Sequence, residues 1–285
     1  MPVSCVSLGK KNCTDDSLRR MQKLALETGA NFPENTNDLE KNFDGLDWLG
    51  IVHADGNGLG QIFLNFHQFT ENNRDYINKL RCFSLALDLC TQNAFKTAIQ
   101  VFNQDRKRKR KYDILPLVPL VLGGDDLTVI CDGKKALEFT EKFLLAFEEE
   151  TSRNDLEDVG NIINEVSQKA LKSKGLSACA GIAIVKPHFP FSVGYDLAES
   201  LLKSAKTVKN KVQDKDNNTV SCSALDFHIV YDSSGVYLDL IRSRLQLKED
   251  NYQLKFYKRP FVITPLNNNS QSENDKKKYF PLYYH

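Results

Sequence analysis

LVLGGDDLTVI, residues 120–130, is an apolar run broken at its centre by two glycines and two adjacent aspartates. The flanking apolar residues read as two buried strands, and Gly-Gly-Asp-Asp reads as the turn joining them into a hairpin. Gly and Asp are favoured in ordinary turns, so the turn alone decides little. A second stretch decides more. WLGIVHA (48–54) is another continuous apolar run, the mark of a buried strand, and it stops at DGNGLG (55–60), whose glycines suit a tight turn. From about Gln61 to Phe102 apolar residues recur at helical spacing, most clearly in INKLRCFSLALDLCTQNAFKTAIQVF (77–102). A helical crossover makes the strand at 48–54 and the strand ending at Gly123 run in the same direction, so their C-terminal ends share one edge. Asp55, Asp125 and Asp126 converge on that edge.

Carboxylates brought that close repel, and desolvating them is costly unless something positive sits among them. An all-oxygen ligand set without histidine or thiolate points to Mg²⁺ or Mn²⁺ rather than zinc. Two such ions would activate a hydroxyl and stabilise a leaving pyrophosphate during in-line displacement at the α-phosphate of a nucleotide. Gly123 and Gly124 permit an unusual turn and a close approach of substrate to backbone. Gly56, Gly58 and Gly60, with Asn57 and Leu59 between them, leave amides free to face a triphosphate. A dinucleotide-binding fingerprint fits poorly. Gln61 stands where its third glycine belongs, and the acidic residue expected about twenty positions on falls in helical sequence around Asp75.

Downstream, KKALEFTEKFLLAFEEE (134–150) is an amphipathic helix with Leu137, Phe139, Phe143, Leu144 and Phe147 as core candidates. A polar, mixed stretch (151–175) leads to the strand LSACAGIAIVK (176–186). GYDLAESLLKSAKTVKNKV (194–212) is a helix with Leu197, Leu201, Ala205 and Val208 on one side, and LDFHIVYD (225–232) closes as a strand. The order β–α–β–β–α–β, then an added helix and strand, gives an α+β fold of ferredoxin-like type.

With 285 residues, 41% hydrophobic, the chain can bury one substantial core. The expected division is an N-terminal appendage (1–45), a main domain (46–235) and a C-terminal extension (236–285) whose NNNSQSENDKKK (267–278) is a flexible polar loop. Lysine plus arginine (38) nearly cancel aspartate plus glutamate (37), so no global basic field holds nucleic acid, and nucleotide binding must be local. RKRKRK (106–111) precedes the second strand, at the end of the sheet away from the carboxylates, and reads as a solvated loop more readily than as an RNA contact. Seven cysteines without a C-x-x-C pair favour reduced, packed thiols, with Cys82 and Cys90 sharing the buried face of their helix. No signal-peptide core or bilayer-length apolar run is present, so a soluble, cytoplasmic protein is expected, with no membrane partner.

HADGNGLG, LVLGGDDLTVI, LSACAGIAIVKPHFPF and AESLLKSAKTVKN follow one another in the order and spacing of a known group. The chain resembles the second palm, or cyclase, domain of the large subunit of type III CRISPR effector complexes, which is related to GGDEF diguanylate cyclases and more distantly to polymerase palms. The resemblance covers roughly residues 46–235 and extends to YKRPFVI (257–263). It implies a palm fold that joins ATP into cyclic oligoadenylates or similar second messengers in antiviral defence, with two Mg²⁺ or Mn²⁺ ions. Asp55 and the Gly56 carbonyl would bind metal, and Asp125 and Asp126 would bind metal and help activate the attacking 3′-hydroxyl. Lys206 matches the lysine that contacts the triphosphate, and Ser84 and Asn65 could line the base pocket. Relatives often carry a second Asp two positions after the first, where this chain has Asn57. The chain lacks the His-Asp dipeptide of a nuclease domain, a zinc module and long helical domains, so a standalone enzyme similar to the minimal CRISPR polymerases fits its length better. Ring closure needs a second nucleotide held beside the first, which implies a homodimer or a related partner subunit; RNA is compatible but not required. Two other readings are a nucleotide-binding palm that acts as scaffold or sensor, and a GTP-using diguanylate cyclase.

Overall fold

The computed structural model describes residues 16, 19–25, 27, 29–43, 45–105, 107–109, 112–153, 161–209, 211–212, 220–231, 237–249 and 252–264. The expected flexible loop at 267–278 lies outside them. After helix α1 (Thr36–Asn42) the chain builds β1 (Leu49–Gly56), α2 (Leu59–Leu64), α3 (Asn73–Ala98), β2 (Leu117–Gly123), β3 (Asp126–Asp132) and α4 (Ala136–Ser152). Then come α5 (Ile162–Leu171), β4 (Ala178–Val185), α6 (Phe191–Lys206), β5 (Ala224–Ile229), α7 (Leu238–Arg244) and β6 (Phe261–Val262). The strands form one sheet in the order β6-β5-β4-β1-β3-β2. β1 is central, antiparallel to β3 on one side and to β4 on the other, while β5 runs parallel to β4. β2 and β1 therefore point the same way with β3 between them, as the helical crossover requires. This is the ferredoxin-like palm order, with α6, β5 and β6 added.

Alternation along the strands gives each face of the sheet its own core, and a third cluster gathers Leu202, Ala205, Val208 and Cys222 at the end of α6. Val52, Ala54, Leu127, Val129, Ala180 and Ile182 face α3, α4 and α5 in the larger one. Ile51, Ile130, Ala183 and Val185 face Leu197, Ala198 and Leu201 of α6 in the smaller. Of the core candidates read from 134–150, Phe139, Phe143, Leu144 and Phe147 are buried and Leu137 is partly buried. Cys90 is buried and Cys82 half-buried, and both are reduced. Leu24, Ala25, Ala30 and Phe32, from the segment before β1, join the larger core.

The stretch 151–175, read as polar and mixed, contains α5. Its buried face consists of Ile162, Ile163, Val166 and Ser167, too few apolar positions to stand out from the polar flanks. Lys107–Lys109, within RKRKRK, pairs with Tyr112–Ile114 ahead of β2, away from the carboxylate edge; positions 106, 110 and 111 lie outside the described residues. No described helix is long and apolar enough to cross a membrane.

Two contacts fix elements that matter below. Gly181 in β4 lies so close to α6 that a Cβ there would fall 2.0 Å from the Ala198 carbonyl and 2.3 Å from the Leu202 amide. Helix and sheet therefore meet backbone to backbone. At the C-terminal side, Asp226 of β5 is fully buried and paired with Arg242 of α7, which also donates to Ser204 Oγ at 3.2 Å and lies over the Tyr257 ring. Glu148 of α4 accepts from the Ser223 amide at 3.0 Å and from the Thr264 hydroxyl, tying the start of β5 and the end of β6 to the opposite helix layer.

Gly181→Ala is expected to cost about 1–3 kcal/mol through overpacking, read as a lower urea midpoint at unchanged slope. Burial pushes the Glu148 carboxyl above its ordinary 4.5, against the smaller opposing effect of its hydrogen bonds. The native state thus holds this proton more tightly than the unfolded chain, and the associated stability is present below pH about 4.5 and is lost as pH rises through the elevated value. Glu148→Gln, which keeps the acceptor oxygen, should flatten that part of the stability profile; an unchanged slope in thermal melts from pH 4 to 8 would refute it.

Candidate active site

The register of the central strands brings the three aspartates together. Ala54 pairs with Leu127, which sets Asp55 level with Asp126, and Gly123 pairs with Asp126 across a turn made of Gly124 and Asp125. Gly124 has φ +60°, the left-handed region that glycine enters without penalty. The Gly56 amide donates to Asp125 Oδ2 at 3.2 Å. A Cβ on Gly56 would lie 2.9 Å from both Cβ and Oδ2 of Asp125, so only glycine lets the hairpin turn rest against the tip of β1. Lys206, at the last turn of α6, is ion-paired with Asp55 Oδ2, both side chains about one-third exposed.

The electrostatics follow from this crowding. Burial first, and then the charge of Asp55, push the Asp125 carboxyl above the usual carboxylate range. Burial also pushes Asp126 upward, with His53 partly offsetting it. His53 is itself buried, its Nδ1 3.1 Å from Thr128 Oγ1 and 3.4 Å from Asp126 Oδ1. That approach lacks hydrogen-bond alignment, and Asp126 Oδ1 is buried without a donor. An acceptor-only ligand set, an orphaned carboxylate oxygen and two carboxyls raised chiefly by burial suit a hard divalent cation. The cage is not closed: among the described residues no three His, Cys, Asp or Glu are arranged around one point, and Lys206 neutralises Asp55.

The remaining expected site residues fall into distinct places. Gly58 has φ +82° and starts α2, and a Cβ on it would press Leu171 of α5 at 3.0 Å; Gly60 faces open space and Gly123 has only Asp88 near it. Leu59 is a core side chain. Asn57 was expected among the nucleotide contacts, but its side chain turns inward. It is 3% exposed and donates to Ser177 Oγ at 3.0 Å, Cys179 Sγ at 3.4 Å and the Cys222 carbonyl at 3.3 Å, while its amide donates to the Ser177 carbonyl at 2.8 Å. An amide serves there because it can donate to those acceptors; a carboxylate could not. Ser84 is exposed on α3, one turn before Asp88, and Asn65 caps α2. An open cleft of about 1120 Å³ runs between α6 and α7, lined by Ser200, Lys203, Ser204 and Thr207 but by none of the three aspartates.

Two residues of the site were missed from the sequence. Thr91 Oγ1 donates to the Gly124 carbonyl, and Asp88 Oδ1 accepts from the Gly124 amide at 3.4 Å. Asp88 Oδ2 is in turn held by Arg20 at 2.9 Å and Gln92 at 2.8 Å. The crossover helix thus grips the turn from behind. The available signal was a pair of polar residues three apart within an otherwise apolar helical stripe.

A sequence model of the Cas10/Cmr2 second palm domain matches residues 48–216, more than half of the chain. The chain belongs to this family. The palm domain matches no curated protein. Solved structures similar to this palm domain include a Csm1-Csm4 cassette in complex with cA3, at 18% identity over 56% of this chain and 19% of that one, TM-score 0.37. Csm1 in T. onnurineus aligns at 17% identity over 56% and 19%, TM-score 0.36. The active GGEEF domain of a diguanylate cyclase from Vibrio cholerae aligns at 14% identity over 56% and 78%, TM-score 0.33. The palm domain thus spans 19% of the length of these Csm1 chains.

The grip on the turn is testable. Thr91→Val keeps shape but leaves the half-buried Gly124 carbonyl without its donor, and should cost about 1–2 kcal/mol in equilibrium denaturation, whereas Thr91→Ser should retain most of the stability.

Proposed function

We propose that this palm domain is a metal-dependent nucleotidyltransferase that joins ATP into cyclic oligoadenylates or similar second messengers in type III CRISPR defence. One observation carries the reading: Asp55, Asp125 and Asp126 meet at one sheet edge with the Gly56 amide on Asp125 and Lys206 on Asp55. Asp55, the Gly56 carbonyl, Asp125 and Asp126 are the groups that would hold Mg²⁺ or Mn²⁺. Bound there, two such ions supply Lewis-acid stabilisation of charge on the attacking and leaving oxygens.

This chain's own residues do the rest. Lys206 exchanges its carboxylate partner for the triphosphate, so that one ammonium serves Asp55 before substrate arrives and the phosphates afterwards. Within the Gly-rich segment from Gly56 to Gly60, the Gly56 and Asn57 amides are taken by Asp125 and the Ser177 carbonyl, and Gly60, which faces open space, lets the phosphates approach backbone, with Gly123 and Gly124 clearing the other side. Ser84 and Asn65, on the crossover helices, would line the base. In the reaction a bond forms between the 3′-oxygen of one nucleotide and the α-phosphorus of another. The bond from that phosphorus to the β-phosphate bridging oxygen breaks, pyrophosphate leaves, and the hydroxyl proton is taken up at the Asp125–Asp126 edge. Ring closure repeats the step within one product, for which a second copy or a related partner subunit provides the facing surface.

Purified protein with α-labelled ATP and Mn²⁺ should release pyrophosphate and form oligonucleotide. The double variant Asp125→Ala, Asp126→Ala should reduce release to background, and Lys206→Ala should lower kcat/KM about 10- to 100-fold by removing a charge-assisted contact. Mn²⁺ should raise the thermal midpoint of the wild type and not of the double variant. ATP binding without pyrophosphate release under several metals would return the reading to a scaffold or sensor palm, and release from GTP alone would return it to a diguanylate cyclase.

A further inference from the structure

A row of aromatic rings leads from solvent to the acidic edge. Phe191 opens α6 and Tyr195 follows one turn later on the same face, their ring centroids 5.9 Å apart and tilted by 35°. Tyr195 in turn lies 5.2 Å from the His53 ring, and His53 Nδ1 lies 3.4 Å from Asp126 Oδ1. Phe191 is 44% exposed and Tyr195 half-buried, so the outer two rings present open faces. In the sheet, Val121 lies opposite Thr128, which in turn lies opposite His53, and Val121 is 42% exposed. The Asp126 side chain is 43% exposed although its Oδ1 is buried, so the exposure lies on the rest of that side chain.

The chemistry of this surface selects its occupant. Two tilted rings and an exposed aliphatic side chain in the sheet suit a flat apolar group with a π face, and the row ends on a carboxylate edge that needs a donor or a cation. A nucleotide supplies both, through its base and its ribose hydroxyls. An apolar protein surface would desolvate Asp126 without compensating it, which disfavours that occupant. The triphosphate groups assigned above, Lys206 and the Gly56–Gly60 segment, sit on β1 and the far end of α6, so this surface is free for a second nucleotide. We propose that Tyr195 and Phe191 form a stacking platform for the base of the acceptor nucleotide, whose 3′-hydroxyl is thereby presented at Asp126. The proposal rests on the nucleotidyltransferase reading and extends it to a subsite on this chain. Alanine at a stacking position typically weakens single-base binding by about 10- to 100-fold.

Two substrates restricted to one role each separate the subsites. 3′-DeoxyATP has a triphosphate but no 3′-hydroxyl and serves only as donor; AMP has the hydroxyl but no pyrophosphate to lose and serves only as acceptor. Their condensation with Mn²⁺ is followed over a range of each. Phe191→Ala with Tyr195→Ala should raise the half-saturating AMP concentration about 10- to 100-fold and leave that for 3′-deoxyATP unchanged, and Tyr195→Phe should restore AMP affinity. Unchanged AMP saturation overturns the platform, as does a parallel rise for both substrates. So does a variant that shifts the oligomeric state in sedimentation while AMP saturation stays put. Equilibrium dialysis of labelled AMP with Mn²⁺ gives a readout independent of turnover. Retention by wild type and Tyr195→Phe but not by the double alanine variant supports the platform, and equal retention by all three overturns it. An inactive wild type that still shows this binding pattern removes the catalytic reading and leaves the subsite standing.

Discussion

The contact between the Gly56 amide and Asp125 is the constraint on which the rest of the site depends. It forces the hairpin turn against the tip of the central strand, so that like charges face one another in a partly buried edge. Such an arrangement opposes folding, and the surrounding structure compensates for it. Strand β1 is paired on both sides along its length. The crossover helix holds the turn through Thr91 and Asp88, and α6 delivers an ammonium to Asp55. The site is stable because it is surrounded, and not because its own charges attract.

Helix α6 does more than neutralise. The Gly181 contact seats it on the sheet with no side chain between, which fixes its tilt and its depth together. Its first two turns carry Phe191 and Tyr195 and its last turn carries Lys206, so one rigid rod spans both sides of the acidic edge. Asn57 has a comparable role at the other end. Its inward amide binds the glycine-rich segment to β4 and to the residue leading into β5, and keeps the backbone beside Asp55 from drifting.

Legibility in the sequence followed the range of the interactions. Asp55, Asp125 and Asp126 were readable because each sits where an apolar run stops, and because strand direction follows from the crossover helix alone. Lys206 was readable only through resemblance, since nothing local distinguishes it from Lys203 three positions earlier in the same helix. The inward direction of the Asn57 side chain was not legible, because it is set by Ser177, Cys179 and Cys222, more than a hundred residues distant in sequence. Thr91 and Asp88 escaped for the same reason, their partner Gly124 lying in another element. Helix α5 escaped because its buried stripe is short, although Leu171 at its end supports Gly58.

The pairing of Asp226 with Arg242 bears on where this fold can be divided. The family match stops at residue 216, yet β5 and β6 lie in the same sheet as the strands that carry the three aspartates. Removing α7 would leave the fully enclosed Asp226 carboxylate without its paired guanidinium, and would release Ser204 two residues from the ammonium that serves the acidic edge. The stretch that matches the family model and the stretch that completes the sheet are therefore different lengths of polypeptide, and a cut between β5 and α7 would part a buried carboxylate from its paired guanidinium.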